Sequence, residues 1–242
     1  MIDAGRRAQL AASLDAVRGR IARACTAAGR DPGSVTLVAV TKTYPASDVA
    51  LLAGLGVTDI GENRDQEAAA KFSEVVAAGV KVRWHYVGQL QRNKTKSVVR
   101  YADVVESVDS VRLTGALDDA SRRHRSATLD VLVQVSIDGD PARGGAVADA
   151  SDPDRDLWRV AGAVAASGGL RLRGVMAVAP LDWDPDRAFT TLAGLAARLA
   201  ADHPGATVVS AGMSGDLEQA VKHGATHVRI GTSLLGMRNP LR

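Results

Sequence analysis

Eight short runs along the chain are apolar at consecutive or near-consecutive positions: VTLVAV (35–40), DIGE (59–62), VRWHYVG (82–88), DVVESV (103–108), LDVLVQVSI (129–137), LRLRGVMAV (170–178), TVVSAG (207–212) and HVRIGT (227–232). Runs of this length without strict polar alternation predict strands buried on both faces, as in a parallel sheet. The stretches between them, such as ASDVALLAGLG, RDQEAAAKFSEVVAAG and DPDRAFTTLAGLAARLAAD, have helical spacing, and many of the intervening helices end at a glycine that suits a C-terminal cap. An opening segment, roughly 3–28, places Leu10, Leu14, Val17 and Ile21 three and four residues apart and predicts an extra N-terminal helix, broken by Asp31-Pro32-Gly33. Eight strands alternating with helices in 242 residues predict an α/β fold, the (β/α)8 TIM barrel. A doubly wound open sheet has the same local pattern and is the alternative.

No linker divides the alternation, so residues 1–242 read as a single domain. The segment DGDPARGGAVADASDPDRD (138–156) is the most loop-like and is expected on the active face. Composition adds mainly exclusions. With 30 basic and 27 acidic residues the formal charge is only +3, so nothing calls for a nucleic-acid partner. The cluster Arg122-Arg123-His124-Arg125 ends a predicted helix, where cations suit the macrodipole. Cys25 is the one cysteine and sits beside Ile21, Ala22 and Ala28, so it reads as a packing residue. The first residues contain no apolar signal core, and no segment approaches the ~20 apolar residues of a membrane span. The expected location is the cytoplasm.

The polar residues gather where parallel α/β folds place their sites, just past the carboxyl ends of the strands. Strand one ends in Thr41-Lys42, strand two in Gly61-Glu62-Asn63, strand three in Gly88-Gln89, strand seven in SAGMS and strand eight in Arg229-Ile230-Gly231-Thr232. Asn63 and Ser214 also fit as N-caps of the helices that follow. The glycine-bearing ends SAGMSGD and RIGTS match the position of phosphate sites in such barrels. Lys42 ends an apolar strand, where an ammonium group is costly to desolvate. Partial burial, with Arg229 nearby, would favour the neutral amine, a nucleophile for carbonyls. A phosphate anchor facing a reactive lysine points to pyridoxal 5′-phosphate, PLP. Metal and triad chemistry find no support: His223 and His227 are spaced i,i+4 but separated by Gly224, and there is no G-x-S-x-G or complete G-x-G-x-x-G motif.

LVAVTKTYP, IGENRDQEAAAK, WHYVGQLQRNK, LRGVMAVAP and SAGMSGDLEQAVKHGATHVRIGTSLLG together resemble the pyridoxal phosphate homeostasis proteins, relatives of the alanine racemase N-terminal barrel. The resemblance covers nearly the whole chain. It implies a Schiff base between Lys42 and PLP, phosphate contacts from Ser214, Gly231 and Thr232, Arg229 at the pyridine nitrogen and Asn63 beside the cofactor. Arg64-Asp65 follow Gly-Glu-Asn where the family often has an aromatic residue, which removes ring packing from that position. The function expected is reversible holding of PLP, with amino acids and PLP-accepting apo-enzymes as partners, and short exposed strand ends without a clear apolar surface stripe favour a monomer. The sequence runs only about ten residues past the last strand, so no second domain is expected to supply a racemase's second base. The alternative is a low-activity racemase that pairs Lys42 with Tyr44, Tyr86 or His85. A cofactor-free lysine aldolase is a third reading.

Overall fold

The computed structural model describes residues 4–140 and 143–236; residue 3 of the predicted opening helix, residues 141 and 142 of the 138–156 loop, and the chain beyond 236 lie outside the described residues. All eight predicted strands form. They are β1 (Thr36–Val40), β2 (Asp59–Glu62), β3 (Arg83–Tyr86), β4 (Val104–Val108), β5 (Leu129–Gln134), β6 (Leu170–Met176), β7 (Val208–Ser210) and β8 (His227–Ile230). Every pair is parallel, and β8 pairs back to β1 from Thr36↔His227 to Ala39↔Ile230, which closes the barrel and rules out the open sheet. The helices are α1 (Ala4–Ala27), α2 (Ala46–Gly54), α3 (Asp65–Ala77), α4 (Thr95–Val98), α5 (Val111–His124), α6 (Leu157–Ala165), α7 (Pro185–Asp202), α8 (Leu217–Lys222) and α9 (Thr232–Leu235).

Side chains alternate across each strand, so one set faces the helices and the other fills the barrel. On the outside, Ala39, Ile60 and Val228 pack with α1, α2 and α8. Leu10, Leu14, Val17, Ile21 and Cys25 form the buried stripe of α1, which confirms both the extra helix and the packing role of the cysteine. Salt bridges from Arg6 to Asp48 (2.7 Å) and from Arg20 to Glu218 (2.7 Å) tie α1 to α2 and α8. Asp156 and Asp184 cap α6 and α7 by accepting from Arg159 N–H and Arg187 N–H, each at 3.0 Å. Gly174 has φ 148°, and a Cβ there would lie 1.9 Å from Val208 O, so only glycine allows β6 to approach β7 this closely.

Inside the barrel a small apolar layer of Val104, Leu132 and Met176 shares the space with buried polar residues. His85 donates from Nδ1 to Glu106 Oε1 (2.6 Å) and from Nε2 to Asp59 Oδ1 (2.9 Å). Glu106 Oε2 accepts from Ser210 Oγ (2.6 Å) and lies 3.9 Å from Arg229 Nη1. Burial alone would push the His85 pKa down, but its hydrogen bonds to Asp59 and Glu106 outweigh this and raise the value to about 9. Burial likewise opposes ionisation of Glu106, yet His85, Arg229 and Ser210 hold it down to about 2. His227, 6.2 Å from His85 between ring centroids, is depressed by burial to about 4.

These shifts set a pH dependence for folding. His85 is raised above its unfolded value, so its contribution is complete below pH 6.5 and is lost as pH rises through about 9. Glu106 is depressed, so its contribution is present above pH 4.5 and lost as pH falls through about 2. His227 stays neutral when buried, so the unfolded chain takes up a proton first and stability declines from pH 6.5 towards 4. The melting temperature should therefore peak near pH 6.5 and fall on both sides. In His85→Gln the alkaline limb should flatten, with about 2–4 °C of its fall removed for each kcal/mol it carries. Melting curves from about pH 4 to 10 test this; an unchanged alkaline limb in the variant would remove His85 as its source.

Candidate functional site

The carboxyl ends of the strands form one mouth of the barrel, and Lys42 stands on its rim. Lys42 continues the inward-facing set of Val38 and Val40, but its side chain is exposed. The partial burial expected from its apolar strand is not met, because the strand ends at Val40 and the lysine lies in the turn beyond it. That turn is held with little freedom. Tyr44 N–H donates to Thr41 O (3.0 Å), and the same carbonyl accepts from Lys71 Nζ (2.8 Å). Thr41 N–H donates to Gly61 O (3.0 Å), and its hydroxyl donates to Glu62 Oε1 (2.6 Å). Thr43 adopts φ 70°, a left-handed conformation unusual for a β-branched residue, and its N–H donates to Glu67. The backbone on both sides of Lys42 is thus fixed while its amine remains accessible.

The fixing charge is Lys71, buried on α3, whose Nζ lies 2.5 Å from Glu62 Oε1 and 3.1 Å from Glu67 Oε1. Burial raises the Glu62 pKa, and the hydrogen bonds from Lys71 and Thr41 only partly offset this. Glu62 Oε2 is buried without a partner. In the sequence Lys71 is not distinguishable as a site residue, because an i,i+4 pair with Glu67 is also the pattern of an ordinary solvated helix face. The available signal was Glu62 itself, a carboxylate ending a strand that is buried throughout.

Of the other expected residues, Arg229 is the most constrained. It is buried in the barrel, with Nη1 donating to Ser210 O and Oγ (both 2.7 Å) and Nη2 to Ala177 O (2.8 Å). Its Nε makes no hydrogen bond among the described residues. Burial lowers its pKa, and the charge of Glu106 opposes that. Arg229 is aligned with Val38, two inward positions below Lys42 on the neighbouring strand. The reading of Asn63 as an N-cap is not met: Arg64 occupies that position in α3 without a side-chain cap. Asn63 Oδ1 is instead buried with no partner. Asn63 is aligned beside Lys42 by the register Val38↔Asp59 to Val40↔Gly61. Gly88 fixes it further, since a Cβ there would meet Asn63 O at 2.1 Å.

Ser214 is not a cap either. Asp216 holds that position for α8, and Ser214 Oγ accepts from Ser233 N–H (3.3 Å), joining the loops after β7 and β8. Gly231 is the N-cap of α9 and Thr232 its first residue, Gly231 half-buried and Thr232 exposed. The structure therefore brings the expected residues to one end of the barrel. The three candidate second bases are placed otherwise. His85 has both ring nitrogens on carboxylates inside the barrel, Tyr86 is packed on the helix side of β3, and Tyr44 packs beside α1 with its hydroxyl on Gly236 O (2.7 Å).

The 138–156 loop leaves the carboxyl end of β5, on the expected face. It is pinned there by bridges from Val135 to Ala146 and from Val147 to Asp156, and by Arg143 donating to Val178 O (2.9 Å). Glu106 is not among the expected site residues, and Ser210 is expected only as the first residue of the polar end SAGMS. A glutamate inside VVESV was the visible sign, but its partners come from β3, β7 and β8, which only the closed register brings together.

The family model of the alanine racemase N-terminal domain matches residues 12–239. A pyridoxal phosphate homeostasis protein of Mycobacterium tuberculosis is 47% identical, covering 96% of this chain and 94% of the relative. One from Escherichia coli is 36% identical, covering 95% and 97%. Among solved structures, PipY of Synechococcus elongatus with PLP bound has a TM-score of 0.79 at 32% identity, covering 94% of this chain and all of that one (100%). Alanine racemase of Clostridium difficile, at 13% identity and a TM-score of 0.67, shares the fold. The chain belongs to the alanine racemase N-terminal domain family and, within it, to the pyridoxal phosphate homeostasis proteins.

Proposed function

We propose that this protein holds PLP reversibly through Lys42 and takes part in PLP homeostasis, releasing the cofactor to amines. The observation that carries the reading is the rigid turn that presents the exposed Lys42 above a locked Arg229. The relative PipY, similar over nearly its whole length, was solved with PLP bound. The residues present fit that group, since Asn63 carries an unpartnered buried amide oxygen next to the lysine's strand end. When bound, PLP supplies an aldehyde that reacts reversibly with primary amines and a phosphate that needs anchoring.

Each residue then has a task. Lys42 provides the amine, and its exposure leaves room for an incoming amine to displace it. Ser214, Gly231 and Thr232 hold the phosphate, with the Ser214–Ser233 hydrogen bond keeping the two loops together. Arg229 would be the residue facing the pyridine ring, with Nε the donor left over once its other two nitrogens are held by Ser210 and Ala177. A guanidinium donates and does not give up its proton, so the ring nitrogen stays unprotonated and draws electrons weakly. That favours holding over carbanion chemistry. The acceptors are amino acids and lysines of apo-enzymes. We read the barrel as acting as a monomer in the cytoplasm, because the closed sheet has no free edge.

Lys42→Ala should abolish the visible absorption of the protein purified with PLP. In the parent, borohydride should fix the cofactor to the peptide containing residue 42. A coloured variant, or attachment elsewhere, would overturn the assignment. Deuterium exchange at an amino acid's α-carbon at ~1 s⁻¹ or faster would replace holding with turnover.

Lys71→Met tests the fixed turn separately. It leaves Glu62 buried without its cation and should lower stability by about 3–5 kcal/mol. Well below its melting temperature the folded variant should still load less cofactor, despite an intact Lys42. Glu62→Gln combined with Lys71→Met should recover part of the stability. Full loading of Lys71→Met would show that the turn does not need this support.

A further inference from the structure

The opposite, amino-terminal mouth of the barrel contains a hollow of about 540 Å³ with an unbalanced lining. Its floor is Asp130 on β5, only 4% exposed. Asp130 Oδ2 accepts from Arg83 Nη2 (2.6 Å) and Oδ1 from Arg171 Nε (2.5 Å), while Arg173 Nε lies 3.9 Å from Oδ2. Three guanidinium groups thus share one carboxylate. Apart from these single hydrogen bonds the Arg83 and Arg171 side chains donate to nothing among the described residues, and they are 43% and 57% exposed.

The rest of the lining does not restore the balance. Lys81 makes no ion pair among the described residues. Arg125, from the basic cluster at the end of α5, donates to Val99 O (2.9 Å) and Ala102 O (2.8 Å), which carry no charge. The other carboxylate, Asp103, accepts from Trp84 N–H (2.9 Å). Four cations therefore line the hollow against two carboxylates, before Arg173 is counted; Asp59, aligned with Arg83 on the neighbouring strand, also acts on that arginine but is already bonded to His85.

Joining β3, β5 and β6 at the stabilising end of a barrel would account for one arginine on Asp130. It does not account for the surplus, because guanidinium groups held side by side repel. Asp130 acts as a strut that fixes two of them together with unused N–H groups. Paired guanidinium forks match the oxygens of phosphate, and a concave cationic wall concentrates anions. The volume lies within the ~300–1,000 Å³ of small-molecule sites. We propose that this mouth is a second ligand site, for a small phosphorylated metabolite with at least two negative charges. It uses none of the residues around Lys42 and is independent of PLP binding.

Calorimetric titration of the full chain at low salt with inorganic pyrophosphate provides the test. Saturable binding with a Kd below ~1 mM is expected, with a melting temperature that rises with ligand concentration. Lys81→Gln breaks no ion pair and should fold normally while weakening binding by about 3-fold; adding Arg171→Gln should weaken it by about 10-fold or more. Ser214→Ala, at the other mouth, should not change it. No saturation up to ~10 mM, wild-type affinity in folded Lys81→Gln/Arg171→Gln, or loss confined to Ser214→Ala would each overturn the proposal. Inorganic phosphate and glycerol 3-phosphate identify the source: tighter binding of the ester supports an organic phosphate, and equal binding supports free phosphate as the ligand.

Discussion

The upper half of the barrel depends on Glu106, a carboxylate with no exposed surface. A charge so placed is tolerable only if paired and hydrogen-bonded on both oxygens. It receives His85 on one oxygen and Ser210 on the other, with Arg229 behind Ser210. Asp59 then balances His85, leaving two anions and two cations inside the barrel. The consequence at the site is positional. The Arg229 fork is held by Ser210 and Ala177, so its direction is set by strands β6 and β7 and not by a ligand. Preorganisation of this kind spares the ligand the entropy of ordering a long side chain.

A second arrangement of charge serves Lys42 in the opposite way. The Lys42 amine is left in solvent, and burial is applied to Lys71, which holds the backbone in front of it. The left-handed Thr43 is strain that such a frame can sustain. Reactivity does not then depend on a desolvated lysine. Position and access are what the structure supplies, and both suit the displaceable amine proposed for Lys42.

The parts of this molecule that repeat locally were legible in the sequence. Strands such as VTLVAV are apolar enough to be recognised singly, and the buried stripe of α1 follows from four residues at helical spacing. The strand ends also indicated the site, since parallel topology brings them together whatever the register. What could not be read was anything that depends on which face a polar residue takes once the barrel closes. Glu106 and Ser210 are 104 positions apart and meet only across the closed sheet. Asn63 and Ser214 looked like caps because capping is judged from nearest neighbours, and a shift of one or two residues in the helix start passed those positions to Arg64 and Asp216. Lys42 looked desolvated because its strand is apolar, but the turn begins one residue before it.

The two mouths of the barrel differ in how their charges are closed. Among the described residues of the upper interior, His85 has carboxylates at hydrogen-bond distance and Arg229 has one a single partner removed. At the lower mouth a single buried carboxylate gathers three arginines, and the excess has nowhere to go within the chain. Both arrangements use a carboxylate to fix guanidinium groups, Glu106 through Ser210 above and Asp130 directly below. The difference is that Glu106 is shared with a protonated histidine, which uses up its charge, whereas Asp130 is surrounded by cations alone. A buried carboxylate thus closes the charge of the upper interior, while at the lower mouth the same device leaves arginines in excess of their one acceptor.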